Sequence, residues 1–190
     1  MIRIGITGGI GSGKSMVCRL LSVLGVPIYN SDEEAKRLMC TNLTLKKEVI
    51  SFLGEEAYKG DVLNKPYVAM RIFSSPNLLK KINEAIHPIV FADFSRWCKE
   101  KKENVVGIES ALLYQSEFYK VLDRIIYLEA QEELRIERVM KRNNMTYKAV
   151  KERMEVQKNP IPFPENTTFI LNDNNTPVLP QVLHFLQSLS

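Results

Sequence analysis

Cysteine and histidine are scarce in this chain of 190 residues, which has three of the former and two of the latter. Cys18, Cys40 and Cys98 are odd in number, far apart and without C-x-x-C spacing. This pattern excludes a fully paired disulfide framework and disfavours a zinc site. A reducing compartment suits such a chain, and we expect the protein to be cytoplasmic.

Long apolar runs and strong net charge are also missing. No stretch approaches the ~18 apolar residues of a membrane span, and the first residues form a strand pattern rather than a signal peptide. A net charge of +4 suits an anionic ligand but is too mild to indicate nucleic acid. We expect a small-molecule substrate, no nucleic acid, no membrane and no obligatory protein partner.

The most informative stretch is MIRIGITGGIGSGKS at residues 1–15. Alternating isoleucines predict a strand, and Gly8, Gly13, Lys14 and Ser15 complete the pattern G-x-x-x-x-G-K-S before a helical pattern. A glycine-rich turn that only joins a strand to a helix is the alternative. The complete pattern in this context favours a phosphate-binding loop.

The chemistry of phosphate binding explains these residue types. Glycines allow positive φ and close backbone approach, so we expect Gly8, Gly9, Gly11 and Gly13 to let successive N–H groups surround a β-phosphate. The opening helix adds its unpaired N–H groups and dipole. Lys14 then reaches the β/γ oxygens, and the Ser15 hydroxyl binds Mg²⁺.

Apolar periodicity places the rest of the chain on alternating strands and helices. Further strands are predicted at 26–29, 105–109, 124–128 and 168–171. Helices are predicted over 16–24, 32–39, 43–53, 66–73, 77–100 with an interruption near Pro88, 132–143, 146–157 and 177–188. Together they predict a three-layer α/β fold with a five-stranded parallel sheet and right-handed connections.

Three classes of nucleotide-binding protein compete for this pattern. A GTPase needs N-K-x-D, but Asn64-Lys65 is followed by Pro-Tyr, and no D-x-x-G follows a strand. A motor ATPase usually has a strand ending in Asp within a larger module, whereas the strand at 105–108 ends in Glu109. A small-molecule kinase is favoured over both other classes, and a GTP-driven switch ranks far behind any kinase of this type.

Asp32 follows the second strand and is the candidate general base, since a carboxylate can orient an acceptor hydroxyl and take its proton. The equal alternative is an N-cap, a task that Ser31 could also perform. Arg135, Arg138 and Arg142 fall on one face of a predicted helix in a basic segment. That segment is either a solvated surface or, beside a phosphate loop, a lid that offers arginine to the transferring phosphoryl group.

Other polar residues carry open alternatives. His87 is a core histidine or a ligand contact, with the core favoured, and His184 is structural. We expect Glu109 either to bind Mg²⁺ through a water molecule or to contact the groups that bind the ion directly. The run at 172–175, which includes Asn172 and Asp173, forms a turn or lies against the adenine base.

Several motifs in order resemble the dephospho-CoA kinase family: GITGGIGSGKS, V-P-I-Y-N-S-D, I-F-x-x-P…H-P-I-V, E-S-A-L-L-Y, E-R-V-x-x-R…R-M-x-x-Q and F-I-L-N-D. The resemblance covers nearly the whole chain. It implies a single P-loop kinase domain with a core at 1–40, 104–130 and 165–190, a helical CoA-binding region at 41–103 and a helical-hairpin lid at about 131–160. The implied reaction moves the γ-phosphoryl group of ATP to the ribose 3′-hydroxyl of dephospho-CoA, with Mg²⁺.

The resemblance also implies roles for individual residues. Asp32 inherits the base role and Arg142 that of the lid arginine. The segment 11–16, with Ser12 and Met16, matches the ATP-binding loop. The residues placed where the family holds dephospho-CoA are Thr7, Lys65 and His87, and Glu109 joins this substrate side. The chain departs from the family pattern at Asn30, where Asp is usual, at Met16, where Thr is usual, and at Lys65, where Arg is common.

Overall fold

The computed structural model describes residues 1–73, 75–156 and 162–189. Its strands are β1 (Ile2–Gly8), β2 (Ile28–Asn30), β3 (Tyr58–Lys59), β4 (Val62–Leu63), β5 (Val105–Glu109), β6 (Arg124–Glu129) and β7 (Thr167–Leu171). Its helices are α1 (Lys14–Val23), α2 (Ser31–Thr41), α3 (Leu43–Leu53), α4 (Lys65–Phe73), α5 (Pro76–Lys99), α6 (Glu132–Asn143), α7 (Tyr147–Val156) and α8 (Val178–Gln187). The chain divides into a sheet unit, Met1–Tyr29 with Lys102–Ser190, and a helical unit, Asn30–Lys101.

The sheet unit is built on five strands in the order β2-β5-β1-β6-β7. β1 lies between β5 and β6 and pairs parallel with both, and β7 continues the parallel pairing beyond β6. The predicted five-stranded parallel sheet is confirmed. Because the strands are parallel, their carboxyl ends share one edge, which is where ligands bind in open α/β sheets.

Helices on both faces complete the three predicted layers. On one face, α1 and α8 pack against the isoleucines of β1 and their neighbours in one core. That core contains Ile4, Ile6, Val17, Leu21, Ile126, Leu128, Ile170, Val182 and Phe185. On the other face, Gly5 leaves room for Leu113 and Leu122, since a Cβ there would lie 2.6 Å from Leu122 Cδ1. Alternation along β1 therefore serves two different packing layers.

The helical unit packs α2, α3, α4 and α5 around their apolar faces. Buried residues on these helices include Leu38, Leu45, Val49, Val68, Ile86 and Phe94. β3 and β4 form a short antiparallel hairpin beside them, with Gly60 at φ 65 in its turn. This hairpin was not predicted from the sequence, because strands of two residues are too short to show an alternation of apolar and polar residues.

One helix prediction was wrong. The interruption expected near Pro88 does not occur, since α5 runs from Pro76 to Lys99 with the proline inside it. Buried residues lie on both sides of it, Ile82 and Ile86 before and Val90 and Phe94 after. Burial of this continuous apolar face offsets the roughly 3 kcal/mol that an internal proline costs a helix.

The thiols of Cys18 and Cys98 are buried, that of Cys40 is partly exposed, and none is joined in a disulfide. Across the residues that the structure describes, none of the helices combines the length and the apolar character needed to cross a membrane.

Candidate nucleotide site

The loop between β1 and α1 turns through glycines with left-handed backbone angles. Gly11 has φ 80 and Gly13 has φ 101, conformations that side chains other than glycine rarely adopt. Ser12 N donates to Gly9 O at 3.1 Å and closes the turn. Gly13 is the N-cap of α1 and offers no side-chain acceptor, so the helix end can receive an anion.

Lys14 extends back across this loop. Its Nζ donates to Gly8 O at 2.8 Å and to Gly9 O at 3.3 Å. The ammonium group therefore lies along the same backbone whose N–H groups are the candidate phosphate donors. The Met16 amide, which the resemblance assigns to ATP, donates to Gly13 O at 3.0 Å.

Ser15 and Glu109 come together at the carboxyl edge of the sheet. Ser15 Oγ donates to Glu109 Oε1 at 3.3 Å, and Glu109 ends β5 in register with Ile6 of β1. A hydroxyl and a carboxylate are oxygen ligands of the kind that Mg²⁺ prefers. Among the described residues no group of three or more His, Cys, Asp and Glu converges. A magnesium ion here would therefore take its remaining ligands from water and phosphate, as it commonly does.

Cys18 lies beside this pair but does not add a ligand. Burial, reinforced by the negative charge of Glu109, raises the pKa of the Cys18 thiol far above its usual value. The group remains a protonated thiol at neutral pH, whereas metal coordination needs the thiolate.

Close neighbours, rather than backbone angles alone, require glycine in this loop. A Cβ on Gly9 would lie 2.1 Å from Arg135 Nη2, and one on Gly11 would lie 2.4 Å from Arg135 O. Gly9 does not use its freedom to adopt a left-handed backbone, because only Gly8, Gly11 and Gly13 of this loop have a positive φ. Gly9 is small so that the guanidinium group can approach.

Asn172, just after β7, braces the loop from the other side. It is 9% exposed, its Nδ2 donates to Ser12 O at 2.8 Å and its own N–H donates to Glu129 O at 2.8 Å. Arg138 Nη2 donates to Asn172 O at 3.1 Å, and Arg138 also binds Asn174 and Gly11 O. Asn172 therefore holds the shape of the loop from behind.

Asp173 forms the turn that was one of its two predicted roles. Its Oδ1 accepts from Thr176 N at 2.7 Å and from Asn175 N at 2.9 Å. These backbone N–H groups lower the pKa of the carboxyl group below its usual value.

One buried hydroxyl in the loop is left without a partner. Ser12 is fully buried, and no described residue hydrogen-bonds to its Oγ. An unsatisfied buried hydroxyl costs about 1–3 kcal/mol, a cost that a phosphate oxygen within reach would remove. Together with the amide cradle, Lys14 and the Ser15–Glu109 pair, this orphaned group fits a magnesium nucleoside triphosphate.

Of the three arginines on α6, two contact the phosphate loop and the third does not. Arg135 Nε donates to Ile10 O at 3.0 Å and Arg138 also contacts the loop, whereas Arg142 is exposed and its Nε donates to Asn143 Oδ1 at 2.8 Å. The predicted helix pair is present as α6 and α7, which share a core of Ile136, Val139, Val150 and Met154. Residues 157–160 of the predicted lid, with Lys158, lie outside the described residues.

In the helical unit, the start of α2 shows which residue caps this helix, a role that the sequence left open between Asp32 and Ser31. Asn30 is the N-cap, and its Oδ1 accepts from Asp32 N and Glu33 N at 3.1 Å each. The alternatives that Asp32 or Ser31 caps this helix are wrong, because the last residue with extended φ and ψ is Asn30. Asp32 is exposed in the first turn.

The remaining predicted substrate residues lie on different elements. Thr7 is 2% exposed on β1, and Lys65 is exposed at the start of α4. His87 is half-buried in α5, outside the fully buried set, and burial lowers its pKa.

Known proteins with similar sequences show the family of this chain. The dephospho-CoA kinase family model matches residues 2–177. The chain is 40% identical over 190 residues to the dephospho-CoA kinase of Bacteroides fragilis, covering 99% of this chain and 93% of that protein. It is 41% identical over 154 residues to that of Porphyromonas gingivalis, covering 81% and 76%. The chain belongs to the dephospho-CoA kinase family.

Solved structures share the fold of this chain. The crystal structure of TT1252 from Thermus thermophilus is 28% identical, with a TM-score of 0.78 and coverage of 99% of this chain and 95% of that chain. Dephospho-CoA kinase from Campylobacter jejuni, at 22% identity, has a TM-score of 0.64 and coverage of 99% and 96%. Shikimate kinase from Acinetobacter baumannii, at 17% identity, shares the fold with a TM-score of 0.56 and coverage of 100% and 93%.

The contacts of Arg135 and Arg138 with the loop, and the hydrogen bond from Arg138 to Asn174, were not predicted from the sequence. The spacing of the two arginines on one helix face was visible, but their loop partners lie far away in the chain, since Arg135 and Ile10 are 125 positions apart. A helical period shows which residues share a face and not what that face contacts.

Proposed function

We propose that this family member transfers the γ-phosphoryl group of ATP to the ribose 3′-hydroxyl of dephospho-CoA, giving coenzyme A and ADP, with Mg²⁺ as cofactor. The observation that carries the proposal is the complete phosphate loop, with Lys14 across it and Ser15 against Glu109. It occurs in a chain that the dephospho-CoA kinase family model matches over residues 2–177.

The transfer needs positioning and charge neutralisation more than covalent help from the protein. The acceptor oxygen bonds to the γ-phosphorus while the bond from that phosphorus to the β,γ-bridging oxygen breaks. Asp32 takes the hydroxyl proton, and Lys14 neutralises charge on the β- and γ-oxygens. Ser15, with Glu109 acting indirectly, would hold Mg²⁺, which would supply further neutralisation of the phosphate charge.

The remaining residues divide by ligand. The proposed nucleotide set is Gly8, Gly9, Gly11, Ser12, Gly13, Lys14, Ser15, Met16, Asn172 and Asp173, in which Asn172 acts through the shape of the loop. The proposed acceptor set is Thr7, Asp32, Lys65, His87 and Glu109. Arg142 would reach the transferring group from the lid at about 131–160, and the helical region at 41–103 would hold the CoA moiety.

A second candidate is phosphorylation of another small alcohol. The specific observation in its favour is the fold shared with shikimate kinase, at a TM-score of 0.56. Fold alone does not choose the acceptor, so the acceptor has to be tested directly.

The deciding experiment measures ADP release with Mg·ATP and equal concentrations of dephospho-CoA, adenosine, gluconate or shikimate. We expect only dephospho-CoA to stimulate release well above the rate with ATP alone. The Lys14→Ala variant is the control, and it should lose both ATP affinity and turnover. If another acceptor stimulates release and dephospho-CoA does not, the substrate assignment is wrong although the kinase assignment stands.

A further inference from the structure

The first turn of α6 is fastened to the phosphate loop through Arg135. Its Nε donates to Ile10 O at 3.0 Å, and its guanidinium group lies where a Cβ on Gly9 would be. Its own carbonyl packs against Gly11, where a Cβ would lie 2.4 Å away. The side chain is half-buried. Arg135 is therefore a packed part of the loop rather than a solvated member of a basic surface.

The side chain of Ile10 makes a second contact with the hairpin formed by α6 and α7. It packs against the core that α6 and α7 share, formed by Ile136, Val139, Val150 and Met154. The hairpin therefore holds Ile10 by both its side chain and its carbonyl group. The base of the predicted lid is anchored at the loop.

This anchoring fixes the direction of one loop amide. The Ile10 carbonyl and the Gly11 N–H belong to one planar trans peptide unit, in which the two groups point in opposite directions. Because Arg135 holds the carbonyl on the α6 side, the Gly11 N–H points away from α6. Within the described ranges no acceptor is found for the Gly11 N–H.

We propose that Arg135 is a positioning residue for nucleotide binding, which holds the Ile10–Gly11 peptide so that the Gly11 N–H donates to the β-phosphate. Glycine at 11 leaves this peptide free to rotate, since the residue tolerates both signs of φ. The bond to a charged donor restricts that freedom before the ligand arrives. This inference rests on the proposed ATP site but not on the identity of the acceptor.

The test compares Arg135→Met, which keeps the aliphatic stem and removes the donors, with Arg135→Lys, which restores one donor. Lys141→Gln is the matched control, because Lys141 is an exposed cation on the same helix. Calorimetric titrations of each full-length protein use ATP, ADP and AMP with Mg²⁺. Thermal unfolding without nucleotide checks that each variant is folded.

We expect Arg135→Met to bind ATP and ADP about tenfold more weakly, the usual effect of losing a charge-assisted hydrogen bond that orders a site. AMP lacks the β-phosphate, so its affinity should stay within about twofold. Arg135→Lys should recover part of the loss, and Lys141→Gln should match the natural protein. Unchanged ATP and ADP affinity in Arg135→Met would overturn the proposal, as would an equal loss for all three nucleotides.

A second measurement needs no variant. The Gly11 amide resonance of the ¹⁵N-labelled natural protein should shift on saturation with ATP or ADP and remain in place with AMP. A Gly11 resonance indifferent to ATP would contradict the assigned donor. Neither measurement contains an acceptor, so a chain that binds ATP in this way but ignores dephospho-CoA would refute the proposed function alone.

Discussion

At the scale of the residue, Asn30 and Asp32 carry out different tasks although only one residue separates them. The amide oxygen of Asn30 accepts two backbone N–H groups at the start of α2, which satisfies donors that would otherwise be unpaired. The carboxylate of Asp32 is exposed and is not needed for capping. Asparagine is therefore sufficient at position 30, and Asp32 stays the proposed base.

The residue-scale prediction concerns Asp32→Asn. The amide keeps the shape of the side chain but accepts no proton, so kcat should fall by roughly 10²-fold or more while ATP affinity stays the same. Steady-state kinetics with dephospho-CoA and a separate ATP titration measure the two effects. Glu33→Gln is the matched control, since it removes the adjacent exposed charge in the same helical turn. Equal turnover in Asp32→Asn and Glu33→Gln would exclude Asp32 as the base.

At the scale of the element, the sequence pattern predicted the bounds of a strand or helix correctly where interactions within that segment determine them. The strand at 105–109 and the helices at 43–53 and 132–143 have the predicted bounds, because apolar period and end signals lie within each segment. The helix interruption expected near Pro88 does not occur, because packing along the whole of α5 outweighs the local cost of a proline inside a helix. The phosphate loop was predicted in full, but the reason for Gly9 was not, since Arg135 is remote in sequence.

The element-scale prediction concerns His87 on α5. Burial lowers the pKa of His87 in the folded protein below the ordinary value of 6.5, although the negative charge of Glu84, three residues earlier, opposes the shift. The unfolded chain then binds more protons than the folded one, so the free energy of unfolding falls as the pH drops through 6.5 and below.

Urea unfolding at about pH 7.5 and about pH 5 measures this dependence. His87→Gln should lose less stability between the two values than the natural protein. His184→Gln, which changes an exposed histidine on α8, is the control and should retain the natural dependence. An identical pH dependence in His87→Gln would show that His87 does not contribute.

At the scale of the whole molecule, the residues proposed to bind ligands are distributed over two units. The phosphate loop, Asn172 and two residues of the proposed acceptor set, Thr7 and Glu109, belong to the sheet unit, whereas Asp32, Lys65 and His87 of that set belong to the helical unit. Sequence motifs suggested both sets but not the contacts within them. Ser12 and Asn172, 160 positions apart, are joined by a hydrogen bond that no local pattern encodes.

The whole-molecule prediction follows from this division. Hydrogen exchange should slow in the loop at 8–16 when Mg·ATP is added, and in helices of residues 30–101 when dephospho-CoA is added alone. The Lys14→Ala variant should lose the first protection and keep the second. Protection by dephospho-CoA confined to the sheet unit would contradict the proposed placement of the acceptor residues.

The burial of two of the three cysteines has a practical consequence for spectroscopy. Cys18 and Cys98 are shielded from reagents, and Cys18 is held as an inert thiol, whereas Cys40 near the end of α2 is partly exposed. A maleimide dye should therefore attach to Cys40 first. The natural chain thus carries a fluorescence reporter position in its helical unit, with no engineered cysteine and no removal of the other two.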